Sequence, residues 1–246
     1  MIFFFILGTL IGSFLNVIII RLPKNQSIIT PRSHCSNCKY KIPFYLNIPI
    51  ISYILLRGKC KECNSKISSQ YIFIEIITGI IFYLLFLYLP GEPEKASLLV
   101  LIFCCLIVIS VIDFNHFLVP SFIILILLLS LIPYSLIFDI KISNILWGAV
   151  AITSYLGGSA FLISIIKKNN KVLGFGDILL SIFIGGYLGI LNGLFCLFLA
   201  SIIGLFYALF TRGKEINKIP FATCLSISFG IIILSEISFN FKLLFF

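Results

Sequence analysis

Charge is what this sequence has least of. Asp, Glu, Lys and Arg make up 11% of its 246 residues, while 60% are hydrophobic and the mean hydropathy is +1.17. A soluble domain carries about 25% charged residues, so the composition excludes one and implies a chain that crosses a bilayer repeatedly. Acids are the scarcer sign, nine Asp and Glu against eighteen Lys and Arg. The resulting +9 would suit nucleic acid if it were gathered on one face. Instead the basic residues fall in loops beside apolar runs, which argues against nucleic acid as a partner and for the lipid bilayer. A basic stretch ahead of the first apolar run is also missing. Arg21 and Lys24 follow that run, so an uncleaved first helix with its N-terminus outside the cytosol is expected rather than a secretory signal.

What is present is apolar sequence in eight segments, near 2–20, 70–89, 97–112, 117–138, 144–166, 176–190, 191–211 and 219–238. The fold class is therefore an all-α polytopic membrane protein with about eight transmembrane helices. The sixth and seventh segments are short and predict a tilted or tightly paired unit around Gly189 and Gly193. Gly8 and Gly12 give the first helix a small-residue face for close packing. Asn16 is a polar group within that helix and needs an internal partner. Pro120 suits the start of the fourth helix, where a missing N–H costs nothing.

Fifteen of the eighteen basic residues lie in loops 21–69, 167–175 and 212–218, leaving Lys95, Lys141 and Lys242 for the other side. That bias makes the three loops cytosolic. Helix parity then places Asp113, closing the third segment, and Asp177, opening the sixth, at the same cytosolic face.

Asp177 stands in Leu173-Gly174-Phe175-Gly176-Asp177, and Asp113 in Val111-Ile112-Asp113-Phe114-Asn115-His116. The glycines are expected to allow close backbone approach and unusual dihedrals at the helix start. Isolated interfacial aspartates are more often solvated, and His116 and the loop residue His34 read most simply that way. Depth, a shared face and the flanking glycines favour function here. Two close carboxylates do not both ionise cheaply. One proton shared between them activates a water and protonates a leaving amine, as in aspartic proteases.

Cysteine is plentiful, but Cys104, Cys105, Cys196 and Cys224 lie in apolar runs and read as small buried hydrophobes. The other four form Cys35-x-x-Cys38 and Cys60-x-x-Cys63, with 21 residues between the pairs. In a reducing cytosol four such thiolates read as a structural zinc site that supplies the folding energy of a loop with little core. The alternative is free or redox-active thiols. Glu75, in the second helix, is balanced between snorkelling and a role.

Together these features are recognisable. Gly12-Ser13-Phe14-Leu15-Asn16-Val17 leading to Arg21-Leu22-Pro23, the two cysteine pairs, Leu56-Arg57-Gly58-Lys59-Cys60, Glu75 with Thr78-Gly79, Asp113 and Gly174-Phe175-Gly176-Asp177 resemble the bacterial type IV prepilin peptidases, which belong to the GxGD intramembrane aspartyl proteases. The resemblance implies cleavage of prepilin or pseudopilin leaders at the cytosolic side of the bacterial inner membrane, with Asp113 and Asp177 as the dyad. It also implies N-methylation of the new terminus from S-adenosylmethionine, an activity linked to the cysteine loop. Gly174 and Gly176 become active-site loop residues, and Asn16, Arg57 and Glu75 supporting ones. The chain departs from the family pattern at Ser121, where an acid is frequent, at Leu179, where a Lys is common, and at Leu46, where Asp-Asn often precedes the Pro.

The expected organisation is a first helix over 1–20, a cytosolic zinc-ribbon-like insertion over 21–69 and a protease core over 70–246. A proton-coupled transporter would need a polar path across the bilayer, and acids at one face do not supply one. A membrane anchor for a zinc module would leave both aspartates unexplained. Homo-oligomerisation is left open by the sequence.

Overall fold

The computed structural model describes residues 1–35, 37–167, 173–211 and 218–239, and the described chain is helical with two compact units, 1–96 and 97–246. The expected basic residues Lys168, Lys171, Arg212, Lys214 and Lys242 lie outside the described residues.

The first unit is built on α1 (Ile2–Arg21) and α3 (Gln70–Tyr88), joined by a loop that holds the short α2 (Ile51–Leu55). Glycine decides how closely α1 and α3 meet. A Cβ at Gly8 would fall 2.8 Å from Phe82 Cβ and 2.9 Å from Gly79 Cα, and one at Gly12 would fall 2.9 Å from Glu75 Cα. The small-residue face read from the sequence is thus a packing seam. Phe4 stacks on Phe86 beside it, ring centroids 3.9 Å apart. Asn16 is fully buried, and its amide donates to the Gly12 and Tyr71 carbonyls at 3.2 and 3.1 Å. At the end of α1 the Arg21 guanidinium donates to the carbonyls of Ser27, Ile28 and Pro31, turning the following segment back over the helix.

The second unit holds most of α4 (Pro93–His116), then α5 (Ser121–Ile137), α6 (Ile142–Lys167), α7 (Phe175–Phe210) and α8 (Phe221–Phe239). Helix α4 runs three residues past Asp113 and stops where Phe117 takes φ 54° and donates its N–H to the Asp113 carbonyl at 2.8 Å. Asp113 therefore lies inside the last turn instead of closing the helix, because the backbone bonds of that turn are still made within it.

Helix α7 is not one rod. Gly189 has φ 72° and ψ −170°, outside helical space and in a region that glycine enters freely. In a straight helix residues 185 and 193 would stand about 12 Å apart. A Cβ at Gly193 would instead lie 3.8 Å from Gly185 Cα, so residues 175–188 and 190–210 form two arms folded back on each other. The tight pair expected around Gly189 and Gly193 is this hairpin. Gly148 of α6 seats against it, since a Cβ there would fall 3.0 Å from Gly189 Cα. Phe183, Tyr187, Tyr134 and Phe229 fill the adjoining core with stacked and edge-on rings.

Among the described residues six helices are long and apolar enough to cross a membrane, and α5, at 17 residues, is a shorter apolar helix. The eight apolar segments correspond to α1, α3, α4, α5, α6, the two arms of α7, and α8. The hairpin predicts unequal tolerance of its neighbouring glycines. Gly185→Leu, whose Cβ would meet Ile152 at 2.8 Å, should lower the melting temperature in detergent steeply, overpacking costing about 1–3 kcal/mol or more. Gly157→Leu, with nothing within 4 Å, should change stability by less than about 0.5 kcal/mol.

Candidate active site

Asp113 and Asp177 belong to the same unit and lie close enough for their charges to interact. Each is held differently. Asp113 is buried, and its Oδ2 accepts the Thr223 backbone N–H at 2.8 Å, with the Thr223 Oγ1 at 3.1 Å. Thr223 is the third residue of α8, so Asp113 receives an amide from the positive end of that helix. Asp177 is the third residue of α7 and reaches back to its own N-cap, accepting the Gly174 N–H at 3.3 Å.

The glycines around Asp177 work by size. A Cβ on Gly176 would come within 2.9 and 3.1 Å of the two Val119 methyls, so glycine lets the start of α7 press against the loop between α4 and α5. The unusual dihedrals expected for this turn are absent. Gly174 has φ −77° and ψ 144°, an extended N-cap that any residue adopts, because the turn is closed by the Asp177 carboxylate rather than by a left-handed residue. Cys224, buried next to Thr223, lies in electrostatic range of both acids. Sequence reasoning missed Thr223 entirely. Its one signal was a hydroxyl three residues after Pro220 at the head of an apolar segment, too common a pattern to single out.

The four loop cysteines also converge. Each pair sits in a small knuckle closed by an isolated antiparallel bridge, His34 with Lys41 and Lys59 with Lys66. The two knuckles repeat one geometry. The first cysteine donates its N–H to the residue five positions on, Cys35 to Tyr40 and Cys60 to Ser65, both at 2.9 Å. The residue four positions on, Lys39 or Asn64, takes positive φ and returns a bond to the cysteine carbonyl at 3.0 Å. All four sulfurs lie within 4.8 Å of one another, with Cys35 to Cys63 at 3.8 Å and Cys38 to Cys60 at 3.9 Å. A tetrahedral zinc with Zn–S of about 2.3 Å spaces its sulfurs by about 3.8 Å. These are free thiols at metal-ligand spacing, not disulfides. Hydrogen bonds from the Ser65 hydroxyl and then its amide pull the Cys63 thiol down to about 6, favouring the thiolate that a metal requires. His34 stays outside the set and donates its Nδ1–H to the Arg32 carbonyl at 3.0 Å.

The remaining expected residues lie in the first unit. Glu75 is buried, not snorkelling. Its Oε2 accepts the N–H of Ile50 at 2.7 Å, and the Ser13 hydroxyl also reaches it. Ile50 has φ 62°, a conformation costly for a β-branched side chain, so Glu75 pins a strained point of the loop. Arg57 is exposed on a turn with φ 50°. These placements predict that Glu75→Met, which orphans the Ile50 N–H, destabilises by about 1–3 kcal/mol, whereas Glu75→Gln keeps an acceptor and most of the stability. Arg57→Ala should stay within about 0.5 kcal/mol of the parent in the same melting experiment.

Comparison with known proteins follows the same division. Residues 6–89 match the Bacterial Peptidase A24 N-terminal domain, and residues 100–209 match the Type IV leader peptidase family. The chain is 32% identical to the "Type 4 prepilin-like proteins leader peptide-processing enzyme" of Escherichia coli O78:H11, over 89% of this chain and 88% of that one. It is 32% identical to the "Prepilin leader peptidase/N-methyltransferase" of Vibrio cholerae serotype O1, over 96% of both chains. The enzyme of that name from Neisseria gonorrhoeae is also 32% identical, over 92% of this chain and 87% of its own. No solved structure matches the chain.

Proposed function

The chain belongs to the bacterial type IV leader peptidase family, and from that membership we propose that Asp113 and Asp177 make it an intramembrane aspartic endopeptidase for type IV prepilin or pseudopilin leaders. The observation that carries the proposal is that the two acids, in the last turn of α4 and the first turn of α7, lie in one unit within range of each other's charge. One carboxylate stays charged and takes a proton from water as its oxygen attacks the scissile carbonyl carbon. The other, protonated, bonds to the carbonyl oxygen as it gains negative charge. When the tetrahedral centre collapses, the C–N bond breaks and the leaving nitrogen takes the proton gained from the water. Products are a leader carboxylate and a free N-terminal amine.

The fifteen basic residues of the three loops support a cytosolic position for this site. A prepilin with its basic leader in the cytosol and its apolar helix in the bilayer presents its scissile bond at that depth. Water is available there, and local unwinding of the substrate suffices to expose the bond.

We assign the four-cysteine cluster to zinc, in a structural role that folds the loop, since thiolate ligation at this spacing is the preferred zinc geometry. S-adenosylmethionine, when bound, supplies an electrophilic methyl group for the amine that cleavage exposes. The first unit has a cavity of about 320 Å³ whose lining offers an aromatic face in Phe14, the cation Arg32, and polar groups in Ser13 and Asn47. Phe14 would stack on the adenine of such a molecule and Arg32 would pair with its carboxylate.

Three measurements test this reading. Purified protein should contain about one zinc per chain, and replacing Cys35 and Cys38 by Ser should release it. Mass spectrometry of a co-expressed prepilin should show a pilin shortened by its leader and methylated at its new N-terminus. Moving the scissile junction one helical turn deeper, about 5.4 Å, should stop cleavage with the local residues unchanged.

A further inference from the structure

We propose that Thr223 is a positioning residue of the aspartate pair, and that its hydroxyl reorients with the proton on Asp113. The inference rests on the reading of Asp113 and Asp177 as the dyad and names the residue that prepares one member for both halves of its work.

Thr223 is buried in the first turn of α8 and gives Asp113 two contacts of different kinds. Its backbone N–H, 2.8 Å from Oδ2, is fixed in direction by the helix. Its hydroxyl is a rotor. Oγ1 lies 3.1 Å from Asp113 Oδ2 and 2.8 Å from the carbonyl of Ser110, one turn earlier in α4. A hydroxyl has a single proton and two lone pairs, so it donates to one of these oxygens at a time.

Each state of Asp113 selects one orientation. When Asp113 is ionised the hydroxyl proton points to Oδ2, because a bond to a charged acceptor is roughly twice as strong as one to a neutral carbonyl. When Oδ1, the oxygen that Thr223 leaves free, takes the proton, Oδ2 becomes a neutral acceptor and the threonine proton turns to the nearer Ser110 carbonyl. No heavy atom moves, and the threonine keeps its proton throughout. Asp113 passes through both states in one turnover, taking a proton from the attacking water and returning it to the leaving nitrogen. In a site walled by apolar helices a rotor of this kind replaces solvent reorganisation with a single torsion. Asp177 accepts one longer bond, from Gly174 at 3.3 Å within its own turn. The donors are thus gathered on Asp113, which is assigned the charged, base role, with Asp177 carrying the proton.

The test uses the full-length protein in detergent with a purified prepilin, measuring kcat, KM and melting temperature for wild type, Thr223→Val, Thr223→Ser and Asp113→Asn. Valine keeps the side-chain shape without the hydroxyl, so kcat should fall about tenfold to a hundredfold with KM and melting temperature nearly unchanged. Serine restores the hydroxyl and should recover kcat to within about threefold of wild type. Wild-type kcat in Thr223→Val would overturn the proposal, as would a serine variant as slow as the valine one, which would assign the effect to methyl packing. If Thr223→Val fails to fold, Thr223→Ala is compared with Thr223→Ser by the same criteria. Asp113→Asn separates the two levels of the argument. A variant that still cleaves removes the dyad itself, whereas an inactive Asp113→Asn beside an unimpaired Thr223→Val removes the role of Thr223 alone.

Discussion

The fold-back of α7 at Gly189 is the constraint on which the candidate site depends. Asp113 lies in the last turn of α4, and after two intervening helices Asp177 stands in the first turn of α7. A straight α7 of 36 residues would be about 54 Å long and would carry the start of α8 to the far side of the unit. The Thr223 amide could then not stand 2.8 Å from Asp113. Folding back needs two helical arms to approach with almost nothing between them, while α6 seats on both. Gly185, Gly189 and Gly193 on α7, with Gly148 on α6, leave that room.

The second constraint is that polar groups among apolar helices must find partners, since each unsatisfied one costs several kcal/mol in a bilayer. Among the described residues, many buried hydroxyls bond to their own helix, while a few buried polar side chains bond across elements distant in sequence and tie the helices together. Asn16 joins α1 to α3, Glu75 joins α3 to the loop, and Asp113 joins α4 to α8. Near the turn of α7, Asn192 donates to Glu236 of α8 at 3.2 Å, and Tyr134 of α5 donates to the Tyr187 carbonyl at 2.9 Å. The arms of the hairpin are thereby fastened to both neighbours. The same requirement shapes the proposed dyad, whose two acids each take a helix-end amide.

Much of this was legible in the sequence, for reasons that differ by residue. The cysteine pairs could be read because metal ligation by thiolates imposes a short, stereotyped spacing. Asp113 and Asp177 stood out because acids are rare and costly at the ends of apolar segments, and parity alone returned them to one side. Gly8 and Gly12 were readable because their period matches a helix face. The role of Thr223 was not, because a single threonine carries no period and its partner is far away in sequence. Glu75 was undecided until its acceptor geometry showed a backbone N–H at 2.7 Å. The glycine at position 174 was read for its torsional freedom and proved to have an ordinary backbone, whereas the size of Gly176 was the property in use.

The claim at the centre of this account is that Asp113 and Asp177 act as one unit on the scissile bond. Cleavage rates of Asp113→Asn, Asp177→Asn and the double variant, measured on proteins with equal melting temperatures, test it most directly. Each single variant should lose at least about a thousandfold, and the double variant should lose no more than either alone. A single variant within about tenfold of wild type, or a double variant slowed by the product of the two single losses, would contradict the claim.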